Sequence, residues 1–157
     1  KMIDDNKDLV IGIDADKVKS GLTIYSKKSK SIEVKLLKFA EIVDLLISAK
    51  EHIKQVKIEC AFLIPKSNWH NNKSTGIASR IGKNVGENHQ TSRLFCEMCE
   101  HLGIDYIQKK PLPLRWGKTG NKKISHKELE NVLKQMEIKC PKSTNQDSRD
   151  SVLICLF

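Results

Sequence analysis

Long apolar runs are the first thing this sequence lacks. No stretch of its 157 residues approaches the roughly 20 consecutive apolar residues that cross a bilayer. The opening KMIDDNKDLV has neither the apolar stretch nor the small-residue cleavage site of a signal peptide. The expectation is a soluble, cytoplasmic protein with no membrane partner. Paired cysteine is lacking too. Cys60, Cys96, Cys99, Cys140 and Cys155 are odd in number and irregularly spaced, which argues against a disulfide framework and for reduced thiols that serve as small buried hydrophobes. Acid is scarce: 19 Asp and Glu stand against 28 Lys and Arg, for a net charge of +9. That balance favours a polyanionic partner, nucleic acid or an anionic membrane, and charge alone does not choose between them. Neither internal repeats nor coiled-coil heptads occur, which excludes solenoids and long helical zippers.

Three familiar chemistries are missing as well. GKTG at 117–120 lacks the glycine that a phosphate loop needs at position 112, where the chain has Leu112. Cys96 and Cys99 with His89 and His101 have no second pair at the spacing of a structural zinc site. No arrangement of serine and histidine singles out a nucleophile triad.

What is present reads as alternating strands and helices. LVIGID (Leu9–Asp14), GLTIY (Gly21–Tyr25) and IEVKLLKF (Ile32–Phe39) form an expected antiparallel meander, the first a central strand that ends in an acid. Glu41–Ile53 has helical apolar spacing and leads directly into a strand expected over Val56–Ile64. Pro65–Arg93 is polar, basic and glycine-containing, and reads as a loop that merges into a helix ending at Gly103. Ile104–Gln108 is a short strand, followed by a second basic loop. In SHKELENVLKQM, Ser125 and Glu128 match a capping box ahead of Leu129, Val132, Leu133 and Met136 on one face. A closing helix follows CPKSTNQ. The order of elements indicates an α/β domain, and the length suits one unit over 1–157.

The acids carry the chemistry. Asp14 ends the first strand, Glu59 interrupts the apolar fourth strand, and Asp147 and Asp150 lie one turn apart on the last helix. Each has a plain structural explanation: a turn residue for Asp14, a salt bridge or strand edge for Glu59, helix capping for the aspartates. Four such acids gathered at one sheet edge would repel one another unless a cation neutralised them, and oxygen donors suit magnesium or manganese.

GID at 12–14, ECAF at 59–62 and DSRD at 147–150 resemble the active-site framework of the RuvC family of Holliday junction resolvases, in the RNase H-like superfamily. The resemblance spans Leu9–Phe157 in element order. It implies an RNase H-like three-layer α/β fold with a mixed five-stranded sheet flanked by helices. It also implies a crossover junction endodeoxyribonuclease, bacterial or phage-encoded, that uses two Mg2+ or Mn2+ ions held by Asp14, Glu59, Asp147 and Asp150. Branched DNA would be the substrate and a homodimer the working form, with the long helix before Gly103 a candidate contact. DNA contacts would come from Phe62, Trp69, Arg80, Lys83, Lys118, Lys122 and Lys123, with Lys122 or Lys123 stabilising the transition state. The same acids also suit a nuclease for another branched DNA or an RNA–DNA hybrid, and a DNA-binding module that does not cut would keep them as caps.

Overall fold

The structure is a computed structural model, described here over residues 7–64, 75–112 and 123–157. Strands β1 (Leu9–Asp14), β2 (Ser20–Ser26) and β3 (Ser31–Leu37) form the antiparallel meander. Helix α1 (Phe39–Ala49) crosses over to β4 (Ile53–Glu59), and the long α2 (Thr75–Leu102) leads to β5 (Tyr106–Lys109). Helices α3 (His126–Gln135) and α4 (Gln146–Leu156) close the chain. The sheet order is β3-β2-β1-β4-β5, with β4 parallel to both β1 and β5.

Alternation along the strands divides the core into two layers. Ile11, Ile13 and Leu22 point toward α1 and α2, where they meet Ile42, Leu46, Phe95 and Cys99. Tyr25, Ile32 and Val34 pack on the other side with Leu129, Leu133, Val152 and Leu153 from α3 and α4. Four of the five cysteines are buried and Cys140 is half-buried, all as free thiols.

The second layer is unusually tight at two glycines. A Cβ on Gly12 would lie 2.6 Å from both Cys155 Cβ and the Ser151 carbonyl oxygen, and one on Gly21 would lie 2.4 Å from the Asp147 carbonyl oxygen. Both are strand positions where the backbone of α4 rests directly on the sheet. Thr23 Oγ1 and Ser151 Oγ share a buried hydrogen bond of 2.7 Å across the same seam.

Three sequence expectations are corrected. The fourth strand ends at Glu59 rather than Ile64, because Ala61–Leu63 coil into a 3-10 turn that lets Phe62 and Leu63 pack on the core. The third strand stops at Leu37, and Phe39 instead opens α1, where the Lys38 N–H donates to Glu41 Oε1 at 2.9 Å. In Pro65–Arg93, read as a loop that merges into a helix, the helix begins as early as Thr75, well before its clearest part at TSRLF. Its described positions before His89 are exposed or half-buried, so no apolar period marks it in the sequence. The loop expected over 65–74 lies outside the described residues.

Candidate active site

Side-chain alternation puts Asp14 on the same face of β1 as Gly12, the face that α4 covers. Because Gly12 and Gly21 admit α4 so closely, its first turns arrive over the C-terminal end of β1. Carboxylate oxygens of Asp14, Asp147 and Asp150 there lie within 4.8 Å of one another. Asp147 is not spent on capping: Asn145 is the N-cap, its Oδ1 accepting from Ser148 N at 2.8 Å. An acid in the first helical turn is also favoured by the helix dipole.

Glu59 stays outside this three-carboxylate group. It sits at the end of the adjacent parallel strand, one position beyond the Ile13–Ile58 pair and on the same face as Asp14. It remains close enough for its charge to act on Asp14. Burial, then the charges of Glu59, Asp150 and Asp147, push the Asp14 carboxyl up to about 8, with Lys123 acting in the opposite direction. Burial and Asp150 raise Glu59 as well. Such a group holds a proton at neutral pH or exchanges it for a cation.

Asp150 is oriented from two sides, its Oδ1 accepting from Gln146 Nε2 at 2.9 Å and its Oδ2 lying 3.4 Å from Lys123 Nζ. Arg149 was not a sequence candidate, yet it ties this corner together. Its Nε donates to the Ile124 carbonyl at 2.9 Å and its Nη1 to the Thr144 carbonyl at 2.8 Å. That anchors the chain next to Lys123 against the start of α4. Gly12 and Gly21 are likewise structural determinants of the site, and a glycine inside a strand is the sequence signal that could have found them.

The expected DNA-contacting residues divide. Phe62 lies in the turn just past Glu59, half-buried, with the Arg93 guanidinium 4.4 Å from its ring centroid and His89 edge-on at 6.1 Å. Ser92 Oγ, beside Arg93, donates to the Glu59 carbonyl at 3.1 Å, which docks α2 against the strand end. Lys83 is exposed on α2, 4.0 Å from Glu87, and Glu87 in turn pairs with Lys17 in the loop after β1 at 3.3 Å. Lys123 belongs to the acidic corner itself. Arg80 falls on α2, with its side chain outside the described residues, and Trp69, Lys118 and Lys122 lie outside them altogether.

No protein-family model matches this chain, and no curated protein matches it. Among solved structures, it is similar to Thermus thermophilus RuvC in complex with a Holliday junction substrate, at 13% identity and a TM-score of 0.54 over 94% of this chain and 90% of that one. A second Thermus thermophilus RuvC structure aligns at 15% identity and a TM-score of 0.48, over 94% and 91% of the two chains. At this identity the likeness establishes the fold: a mixed five-stranded RNase H-like sheet between two helical layers, as the sequence led one to expect.

Proposed function

We propose that this chain is a metal-dependent endonuclease that hydrolyses phosphodiesters in branched DNA, four-way junctions foremost, with residues 1–157 working as one nuclease domain. The observation that carries the reading is the meeting of Asp14, Asp147 and Asp150 oxygens within 4.8 Å in a chain of net charge +9. A basic protein gains nothing from crowding carboxylates unless a cation joins them, and an all-oxygen donor set fits magnesium or manganese. Burial first, and then repulsion from Glu59, Asp150 and Asp147, raise Asp14 to about 8, and that repulsion is what a divalent ion would relieve.

Asp14, Asp147 and Asp150 would hold the metal, with Glu59 available from the next strand. When bound, it supplies Lewis-acid activation of the attacking water and charge neutralisation at the departing 3′ oxygen. The protein's own part is positioning. Gly12 and Gly21 set the height of α4, Asn145 leaves Asp147 free, and Gln146 and Lys123 fix the Asp150 carboxylate. Lys123 also brings a positive charge to the place where the phosphoryl group becomes more negative in the transition state. Phe62 and Arg93, adjoining Glu59, offer a stacked surface for a base exposed at a branch point.

The fold likeness to a RuvC solved with a Holliday junction supports junctions as the substrate. Two symmetric cuts across a junction need two sites, which a homodimer supplies. The deciding experiment compares a mobile four-way junction, a linear duplex and an RNA–DNA hybrid in magnesium or manganese. Paired symmetric nicks in the junction, lost in Asp14→Asn while junction binding persists, are expected. Cleavage of the hybrid alone would move the substrate to RNA–DNA, and junction binding without any cutting would leave a DNA-binding module.

A further inference from the structure

A cleft of about 700 Å³ opens at the other end of the sheet, around the starts of β1, β4 and β5. Four of the residues that line it are lysines, Lys7, Lys27, Lys54 and Lys57, against one acid, Asp105. Lys57, the lining residue of β4 nearest the acidic end, is two residues of strand from Glu59, about 7 Å at the usual rise. None of Asp14, Glu59, Asp147 and Asp150 lines the cleft, so the carboxylate group is not part of its wall.

Lysines on a solvated face usually find acids or point apart. Here none of the four has an ion-pair partner among the described residues. The acid closest in sequence to Lys7 is already engaged: the Asp8 carboxylate accepts from Ser26 Oγ and from Lys28 N. Lys57 is half-buried, on the α4 face of β4. Beside it the Lys109 side-chain nitrogen is buried with no hydrogen-bond partner among the described residues, and burial, then the charge of Lys57, lower its pKa. The Cys155 thiol, also in the cleft wall and 1% exposed, is held neutral at pH 7 by burial and adds no compensating charge. The result is a concave surface with positive charge on several sides, which focuses field into the cavity and raises the local concentration of anions.

We propose that this cleft is a second anion site that takes phosphate-ester groups, distinct from the metal-binding carboxylates. Lysine ammonium groups bind phosphate as point charges. The cavity volume falls in the range of small-molecule sites, and Tyr25 lines one side with an aromatic ring. These features favour a free phosphorylated ligand of about mononucleotide size over an extended strand.

Inorganic pyrophosphate, titrated into the metal-free protein with EDTA at fixed ionic strength and followed by Tm, tests this directly. A saturable rise is expected in the wild type and equally in Asp14→Asn, with an apparent affinity at least tenfold weaker in Lys54→Ala/Lys57→Ala. Lys7→Ala/Lys27→Ala changes only exposed side chains and keeps the test valid if the first variant folds poorly; at least threefold weakening is expected there. No saturable rise, or one that both double variants retain, overturns the site. Competition by dAMP supports a free phosphate ester. Competition only by a 12-nucleotide single strand without terminal phosphates overturns that source in favour of nucleic-acid backbone.

Discussion

The two ends of the sheet are built on opposite charge plans. Where β1 and β4 finish, Asp14, Asp147 and Asp150 crowd together with Glu59 beside them, and Lys123 is their cationic neighbour among the described groups that act on Asp14. Where the same strands begin, Lys7, Lys27, Lys54 and Lys57 face one cleft with Asp105. Each end concentrates charge of one sign, but under different solvation. Asp14, Glu59 and Asp150 are half-buried and Asp147 is exposed, with the Asp14 carboxyl pushed up to about 8. By contrast, Lys7, Lys27 and Lys54 are exposed to water and counterions, and Lys57 is half-buried. Repulsion at the acidic end is thus less screened by solvent than repulsion among the exposed lysines of the basic end.

The largest effect expected is on catalysis at the acidic end. Asp14→Asn should lower junction cleavage by about 1,000-fold or more, equivalent to roughly 4 kcal/mol of barrier, with electrophoretic binding to the junction retained. Retained cleavage would remove the acidic end's distinguishing role. Next comes the seam that brings the acids together. Gly21→Ala would set a Cβ 2.4 Å from the Asp147 carbonyl oxygen, and the helix must lift to make room. A loss of about 2–3 kcal/mol in denaturant unfolding is expected, typical of overpacking, together with slower cleavage at saturating metal. Full activity in Gly21→Ala would mean that the site does not depend on how closely α4 approaches the sheet.

This seam also marks where sequence reading ran out. Strand β1 is legible because Leu9–Ile13 is a short apolar, β-branched run. Helix α3 is legible because Ser125 and Glu128 form the capping box that their spacing announces. The acids could be named from their order along the chain. Their distances could not, because these depend on Gly12 and Gly21 letting α4 down onto the sheet and on Arg149 holding the Ile124 segment. Glu59 shows the limit well. The apolar residues after it read as more strand, but Ala61–Leu63 turn inward to pack, so Glu59 ends β4 beside the carboxylate group rather than within it. The start of α2 was not placed for a related reason: its described positions before His89 are exposed or half-buried and carry no apolar rhythm.

Metal-free stability against pH sharpens the contrast at intermediate magnitude. Asp14 titrates near 3.8 when unfolded and near 8 when folded, so between those values the folded state holds the extra proton. Stability from this group is complete below about pH 4, falls as pH rises, and is gone above about pH 8. Asp14→Asn removes that decline. At pH 8 without metal the variant should be the more stable by on the order of 1–2 kcal/mol, the discount from the full shift reflecting partial exposure and coupling to Glu59. At pH 4 the two proteins should unfold alike. Manganese should stabilise the wild type more than the variant, and more at pH 8 than at pH 6, because at lower pH it must displace the proton. Parallel pH profiles for the two proteins would show that Asp14 is not under the repulsion described.

The smallest effect belongs to the basic end and has the opposite character. Lys54→Ala also removes one member of a like-charged group, so it too should stabilise the metal-free protein at low ionic strength. Lys54 is exposed, however, and its neighbours act on it largely through solvent, which limits the gain to about 0.5 kcal/mol or less. At roughly 0.5 M salt the Debye length shrinks to a few ångströms and the gain should vanish. The larger part of the Asp14→Asn difference at pH 8 should persist, because desolvation of the half-buried Asp14, which salt does not screen, is its first cause. Urea unfolding of both variants at low and high salt measures this directly. Equal salt sensitivity in the two would show that the ends are solvated alike, and the division of the molecule into a half-buried acidic end and a more exposed basic end would fail.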